Sequence, residues 1–184
     1  MTEKAHSVGD VFLQTPRLKL REFVPADQAA VQVYAGDPMV TRWTSWGPNT
    51  PEMTASVLQF WGAERRREPR AEWPIAIIDR KDSTLIGGTG LTVNWELGDA
   101  EFGYVLRRSA WNCGFATEAG AAVIEWGLDH LCLNRIVAHC SLENAASMRV
   151  LEKLGFQRQG GAKEFQKKNG EKLSFRVFSL DQAK

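Results

Sequence analysis

Cysteine is scarce in this chain: three among 184 residues, at Cys113, Cys132 and Cys140, forming neither an even set nor a Cys-x-x-Cys pair. That usage offers no disulfide framework and suits a reducing compartment, so a cytoplasmic location is expected. Histidine is as rare, and His6, His130 and His139 keep no ligand spacing with one another or with the cysteines. No metal is expected. An excess of one charge is missing too, with 23 Lys and Arg against 22 Asp and Glu and a net charge of +1. Such balance predicts neither nucleic acid nor membrane as a partner. The basic run Arg65-Arg66-Arg67 is flanked by Glu64 and Glu68, which reads as a solvated helix end rather than a phosphate tract. No apolar stretch approaches transmembrane length, and Met1–Asp10 is polar. Both nucleotide fingerprints are absent: there is no Gly-x-Gly-x-x-Gly and no Lys following a glycine loop.

What is present suffices for one sizeable core, since 43% of the residues are hydrophobic and no repeat or linker divides them. Residues 1–12 read as a loose tail ahead of a single α+β domain over 13–184. Arg17–Phe23 alternates polar and apolar and predicts a strand. Asp27 is placed to cap a helix carrying Ala30, Val31 and Tyr34 inward. Thr50-Pro51 opens another helix, whose Met53, Val57, Phe60 and Trp61 recur at helical spacing to about Arg67. The period then changes to two. Trp73–Asp79, Leu85–Val93 and Asp99–Leu106 predict three strands, and their short connections favour an antiparallel meander. Gly87-Gly88-Thr89-Gly90 lies inside that pattern and predicts a bulge or close backbone approach, not a phosphate loop.

A helix follows over Ala116–Leu131, with Ala119, Val123, Trp126 and His130 near one face, then a strand over Arg135–Cys140. A further helix spans Ala145–Leu154 and stops at Gly155, after which Phe156 begins a strand. Asn169-Gly170 signals a turn into a last strand over Leu173–Leu180. The informative point is the junction at 111–119, Trp-Asn-Cys-Gly-Phe-Ala-Thr-Glu-Ala. A strand, a glycine bend and a helix start there leave the amides of Cys113, Gly114, Phe115 and Ala116 without helical acceptors. Together with the helix dipole they make an anion site, usually for phosphate.

Three stretches resemble the GNAT N-acetyltransferase superfamily, in particular the branch of the RimJ and RimL ribosomal-protein acetyltransferases. Gly114 and Ala116 fill the last two fixed positions of its acetyl-CoA signature, Arg/Gln-x-x-Gly-x-Gly/Ala, with Trp111 at the first. Ala100-Glu101-Phe102-Gly103-Tyr104 is similar to the branch's fourth strand. Asn144-x-x-Ser147-x-Arg149-x-Leu151-x-x-x-Gly155-Phe156 matches its C-terminal helix signature, and weaker likeness extends through Thr15–Leu18 and Trp46–Pro48. The resemblance implies an α+β fold of about seven mixed, mostly antiparallel strands with about four helices. It also implies acetyl-CoA as co-substrate and a primary amine as acceptor. Two residues depart from the pattern. Asn112 replaces a usual glycine, and its amide serves an anion if its φ stays negative. Leu151 stands where many members carry a tyrosine that protonates the departing thiolate.

Carried over residue by residue, the pattern puts the pyrophosphate on the loop Trp111, Asn112, Cys113, Gly114, Phe115, Ala116 and Thr117. It puts the pantetheine arm along the backbone of Tyr104, Val105 and Leu106, like an added strand. Asn144 is by spacing a helix cap, and the resemblance adds a side-chain hydrogen bond to the pantetheine. Ser147 reads either as a serine bonding back to that cap or, with Leu151 unable to donate, as both a cofactor contact and the donor to the thiolate. Glu101 reads either as a strand-end charge or as the base for the amine. Trp43 and Trp46 fall where the branch builds its acceptor cleft, and core or lid packing is equally open to them. A nucleophilic Cys113 lacks a nearby His or Asp in sequence, and His130 and His139 read as ordinary helix and strand residues. The expected activity is direct acetyl transfer in a ternary complex; the competing reading is a silent acyl-CoA-binding sensor or interaction module. A protein N-terminus, polyamine, amino acid or antibiotic remains open as acceptor, and homodimers are common among related proteins.

Overall fold

A computed structural model of the chain describes residues 10–166 and 172–182. Alternating burial sets its sheet. β1 (Phe12–Gln14) pairs with β2 (Leu18–Glu22), where Leu18 and Leu20 are fully buried while Lys19 and Arg21 point the other way. Each such leucine contributes roughly 1.5–3 kcal/mol by leaving water. After α1 (Gln28–Ala35), α2 (Pro38–Thr41) and α3 (Pro51–Glu64) come the strands β3 (Glu72–Asp79), β4 (Thr84–Asn94) and β5 (Asp99–Leu106), in the expected antiparallel meander. α4 (Phe115–His130), β6 (Arg135–Ser141), α5 (Ala145–Lys153), β7 (Gln157–Gln166) and β8 (Lys172–Asp181) complete one sheet of eight strands, ordered β1-β2-β3-β4-β5-β6-β8-β7. The chain therefore has the α+β architecture expected of it, with one strand and one short helix beyond the anticipated set.

Two cores sandwich the sheet. Phe23, Val31, Tyr34, Leu58, Ala76, Ile78 and Leu85 join α1 and α3 to one face. Leu18, Leu20, Trp73, Ile75, Phe102, Ala119, Val123, Trp126 and Leu151 join α4 and α5 to the other. The glycine cluster of β4 is explained by contact: the register slips between Ile77 and Ile78, and a Cβ on Gly87 would lie 2.1 Å from the Val105 carbonyl oxygen. α5 ends at Gly155 as read, with Gly155 N–H returning to Glu152 and Phe156 N–H to Leu151.

Several expectations are corrected. Residues 1–9 of the supposed tail lie outside the described residues, and from residue 11 the chain is anchored: Val11 is buried and its N–H donates to Glu22. The turn at Asn169-Gly170 also lies outside the described residues. Asp27 precedes α1 but does not cap it; its carboxylate accepts from Val24 N–H and from both terminal nitrogens of Arg21. Arg65 is not simply solvated, because it pairs with Asp10 and with the buried Glu22. α3 is rotated from its anticipated orientation. It buries Leu58 in the core and Thr54 against Gln32 of α1, keeps Trp61 stacked on Phe23, and leaves Met53 and Phe60 about half exposed.

One irregularity of the sheet matters most. β5 and β6 are its only parallel neighbours among the described strands, and they pair just from Asp99–Glu101 to Arg135–Val137. Beyond that they separate, so Phe102–Leu106 keeps β4 on one side and an open backbone edge on the other.

Candidate active site

The split between β5 and β6 opens into a cleft of about 1400 Å³. One end is closed by the loop before α4. Gly114 sits at its N-cap with φ +81°, a left-handed backbone that glycine adopts without strain, and the first helical bond runs from Glu118 N–H to Gly114. The amides of Phe115, Ala116 and Thr117 therefore have no acceptor within the helix. Asn112 does not keep a negative φ; it stands at +59°. The loop thus retains a glycine-like path, and Asn is among the side chains that tolerate it.

Contacts that the sequence reading did not foresee hold this loop. Arg17 donates to the Cys113 carbonyl at 2.8 Å, pairs through Nε with Glu118, and lies 4.6 Å over the Phe115 ring. Burial pushes the Glu118 carboxyl up, but Thr15 and Arg17 donate to it and together hold it below its usual range. The Trp111 indole donates to the Leu106 carbonyl at 2.8 Å, tying the loop to the end of β5. Cys113 turns outward: it is exposed, and its thiol reaches only the Trp111 carbonyl.

On the facing side stands α5. Asn144 caps it, accepting the Ser147 N–H on Oδ1 at 3.1 Å, which leaves its Nδ2 without a protein partner among the described residues. Ser147 does not use its hydroxyl to bond back to that cap. Instead the Tyr104 hydroxyl donates to Ser147 Oγ at 3.1 Å, joining β5 to α5 across the split. Burial pushes the Tyr104 phenol up to about 12, so it remains a donor at any ordinary pH. Cys140 lies beside Ser147, its thiol pushed up by burial, and Leu151 is sealed in the core.

Glu101 points to the opposite face of β5 from Tyr104. It joins a row across the sheet, Glu72–Thr92–Glu101, in which Thr92 donates to Glu72 at 3.1 Å. Burial, with the nearby Glu64 and Glu101 carboxylates, raises the Glu72 carboxyl despite that bond. His139, set aside by the sequence reading as an ordinary strand residue, places Nδ1 3.0 Å from Glu101 Oε1. That hydrogen bond raises the imidazole above its usual value. No pattern in the sequence announces the pair, because it forms where two strands 38 residues apart begin to part.

The cleft brings together nearly every candidate: Glu101, Tyr104, Val105, Leu106, Trp111, Asn112, Gly114, Phe115, Ala116, Thr117, Asn144 and Ser147, with Trp43 and Trp46 at its other wall. Cys113 alone of the candidates does not line it. The description "Acetyltransferase (GNAT) domain" fits residues 17–157. The chain belongs to the GNAT acetyltransferase family. It is 34% identical over 169 residues to the uncharacterized N-acetyltransferase p20 of Bacillus licheniformis, covering 91% of this chain and 94% of that one. A crystal structure of a GNAT-family acetyltransferase from Bacillus anthracis superposes with a TM-score of 0.82 at 27% identity, covering 93% of this chain and 98% of the other. Mycobacterium smegmatis RimJ, solved with CoA-disulfide, shares the fold at TM-score 0.79 and 22% identity over 94% of this chain and 86% of its own. This GNAT protein is an acetyl-CoA-dependent acetyltransferase. None of its described helices is long and apolar enough to cross a membrane.

Proposed function

We propose that the protein transfers the acetyl group of acetyl-CoA directly to a primary amine within a ternary complex. The observation that carries this reading is the position of Tyr104–Ser147 and of Glu101 on two faces of one strand, in the cleft that the amide loop closes. The loop amides, held in place by Arg17 through Cys113 and Glu118, suit a diphosphate, and the open edge of β5 with Asn144 Nδ2 suits the amides of a pantetheine arm. The amine's nitrogen forms the new C–N bond as the C–S bond breaks. Its released proton passes to Glu101 directly or through water. Ser147 meets the charge left on sulfur: Tyr104 donates to its Oγ, and the serine's own hydrogen, which otherwise bonds the Cys140 thiol beside it, turns to the thiolate. Trp43 and Trp46 form part of the wall on the acceptor side.

Thiol release from acetyl-CoA, measured over a panel of amines, tests this directly. Tight CoA binding with no release for any amine would establish the silent sensor instead. A Gly114→Ala change places a side chain in a left-handed backbone at a cost of roughly 1–2 kcal/mol; the free loop relaxes to escape it, CoA binding must restore the path, and affinity by calorimetry falls about tenfold. Unchanged affinity would remove the loop from the site.

Glu101→Gln lowers kcat/KM most at low pH, where more of the amine is protonated and assistance counts most. The same variant should return the His139 imidazole toward 6.5, read by proton NMR titration. The His139–Glu101 pair stabilises the fold below about pH 6.5, and that contribution fades as pH rises through the raised value. With the two side chains 42% and 54% exposed, screening keeps it small. A pH profile unchanged in height and shape would take Glu101 out of the reaction.

A further inference from the structure

Neither the anion loop nor the Ser147 side accounts for the apolar stripe of α3. Met53, Val57 and Phe60 face the cleft instead of the core, with Met53 48% and Phe60 52% exposed, and Trp46 beside them is 40% exposed. Large apolar side chains left along one wall of a cleft mark a surface that a ligand covers. The sheet opposite is bare. Gly90 and Gly103 are register partners on β4 and β5, and a Cβ built on Gly103 meets no atom within 4 Å. Gly103 shares its face of β5 with Glu101, two residues away, and Glu101 lies in the row with Glu72. The result is a slot with a floor of flat backbone, a wall of aromatic and thioether groups, and carboxylates along one edge.

We propose that the acceptor is an arylalkylamine, a planar aromatic ring carrying a short chain that ends in a primary amine. This deepens the acetyltransferase reading and rests on it. The ring lies between the Gly90–Gly103 floor and Phe60 and Met53, where a flat body gains stacking contact on both faces. The ammonium reaches the edge where Glu101 takes its proton. A linear polyamine fits this cleft poorly. In the slot the acid is confined to one edge, at Glu72 and Glu101, while the wall of Met53, Val57 and Phe60 is apolar, so the inner ammonium groups of a long chain would lie against apolar surface.

The test compares kcat/KM of the whole protein for phenethylamine and tryptamine with that for hexylamine, spermidine and short peptides beginning with Ser or Ala. The arylalkylamines should exceed the alkylamine about tenfold, as expected for stacking plus apolar burial. Phe60→Ala, at a half-exposed position where the fold is not at stake, should bring the aryl-to-alkyl ratio to within about twofold of unity through KM. Gly103→Val, whose side chain projects into the slot, should reduce aryl turnover by a larger factor than turnover of hexylamine. Equal or better turnover of hexylamine, spermidine or peptide by the unmodified protein overturns the aromatic acceptor and leaves acetyl transfer standing. A ratio unmoved by Phe60→Ala overturns it as well. No thiol release with any amine overturns both readings together.

Discussion

Ser147→Ala lowers kcat/KM about 10²-fold, the loss typical of removing a proton-transfer or thiolate-stabilising group. The geometry separates this from a folding defect. Asn144 caps α5 through the backbone N–H of residue 147, not through the hydroxyl, so the cap survives the change. Alanine is also the better helix former there. Thermal stability should therefore stay close to that of the unmodified protein while turnover collapses. Tyr104→Phe should lose about tenfold on its own, because Ser147 then keeps its hydroxyl but not the donor that orients it. In a Ser147→Ala background the tyrosine change should cost almost nothing more, since both act through one hydrogen-bonded unit. The phenol's rise to about 12 makes these losses flat between pH 6 and 9. A Ser147→Ala enzyme within about twofold of the original would sink the assignment, far short of the factor such a group supplies.

The largest effect on stability is expected at Arg70. Its guanidinium and the Glu22 carboxylate are 7% and 6% exposed and meet at 2.9 Å and 3.1 Å, while Arg70 also covers the Trp73 ring at 3.9 Å. Arg70→Met keeps the apolar stem but strands a buried carboxylate, and removing one partner of such a pair costs about 3–5 kcal/mol. The lower end applies, because Arg65 still reaches Glu22 at 3.1 Å and Val11 N–H still donates to it. For a chain of this size that is a fall in Tm of about 6–12 °C. Replacing both members, Glu22→Leu with Arg70→Met, should restore only part of the loss: a buried pair exchanged for apolar groups is often near neutral, but here the Val11 N–H loses its acceptor and Arg65 one of its partners. Urea unfolding of the two variants and the parent decides the matter: equal stability for the single change and the parent would mean that the pair contributes nothing.

The two predictions act on parts of the molecule that were unequally legible in its sequence. Local pattern exposed β2, the β3–β5 meander, α4, α5 and the start of α3, through their periods and through chemical starts and stops: Thr50 capping α3, Asn144 capping α5, Gly155 ending it. The same pattern misplaced α3. Met53, Val57, Phe60 and Trp61 are the most apolar stripe of that helix, and periodicity alone assigns such a stripe to the core. The helix instead buries Thr54 and Leu58; of the stripe, Trp61 does reach the core, stacked on Phe23, while Met53 and Phe60 stay outside it. A cleft wall and a core face look alike in one dimension.

By itself the sequence determined the family, the amide loop at Gly114, and the residue types available near it, because these depend on neighbours a few positions apart. The tertiary structure alone decided which of them meet. Arg17 reaches Cys113 across 96 residues, Tyr104 reaches Ser147 across 43, and Glu101 reaches His139 across 38. The last two exist because β5 and β6 pair for three residues and then diverge, and the first because the turn before β2 meets the loop before α4. Hydrogen bonds between strands set that divergence, and no local propensity encodes where a parallel pairing stops.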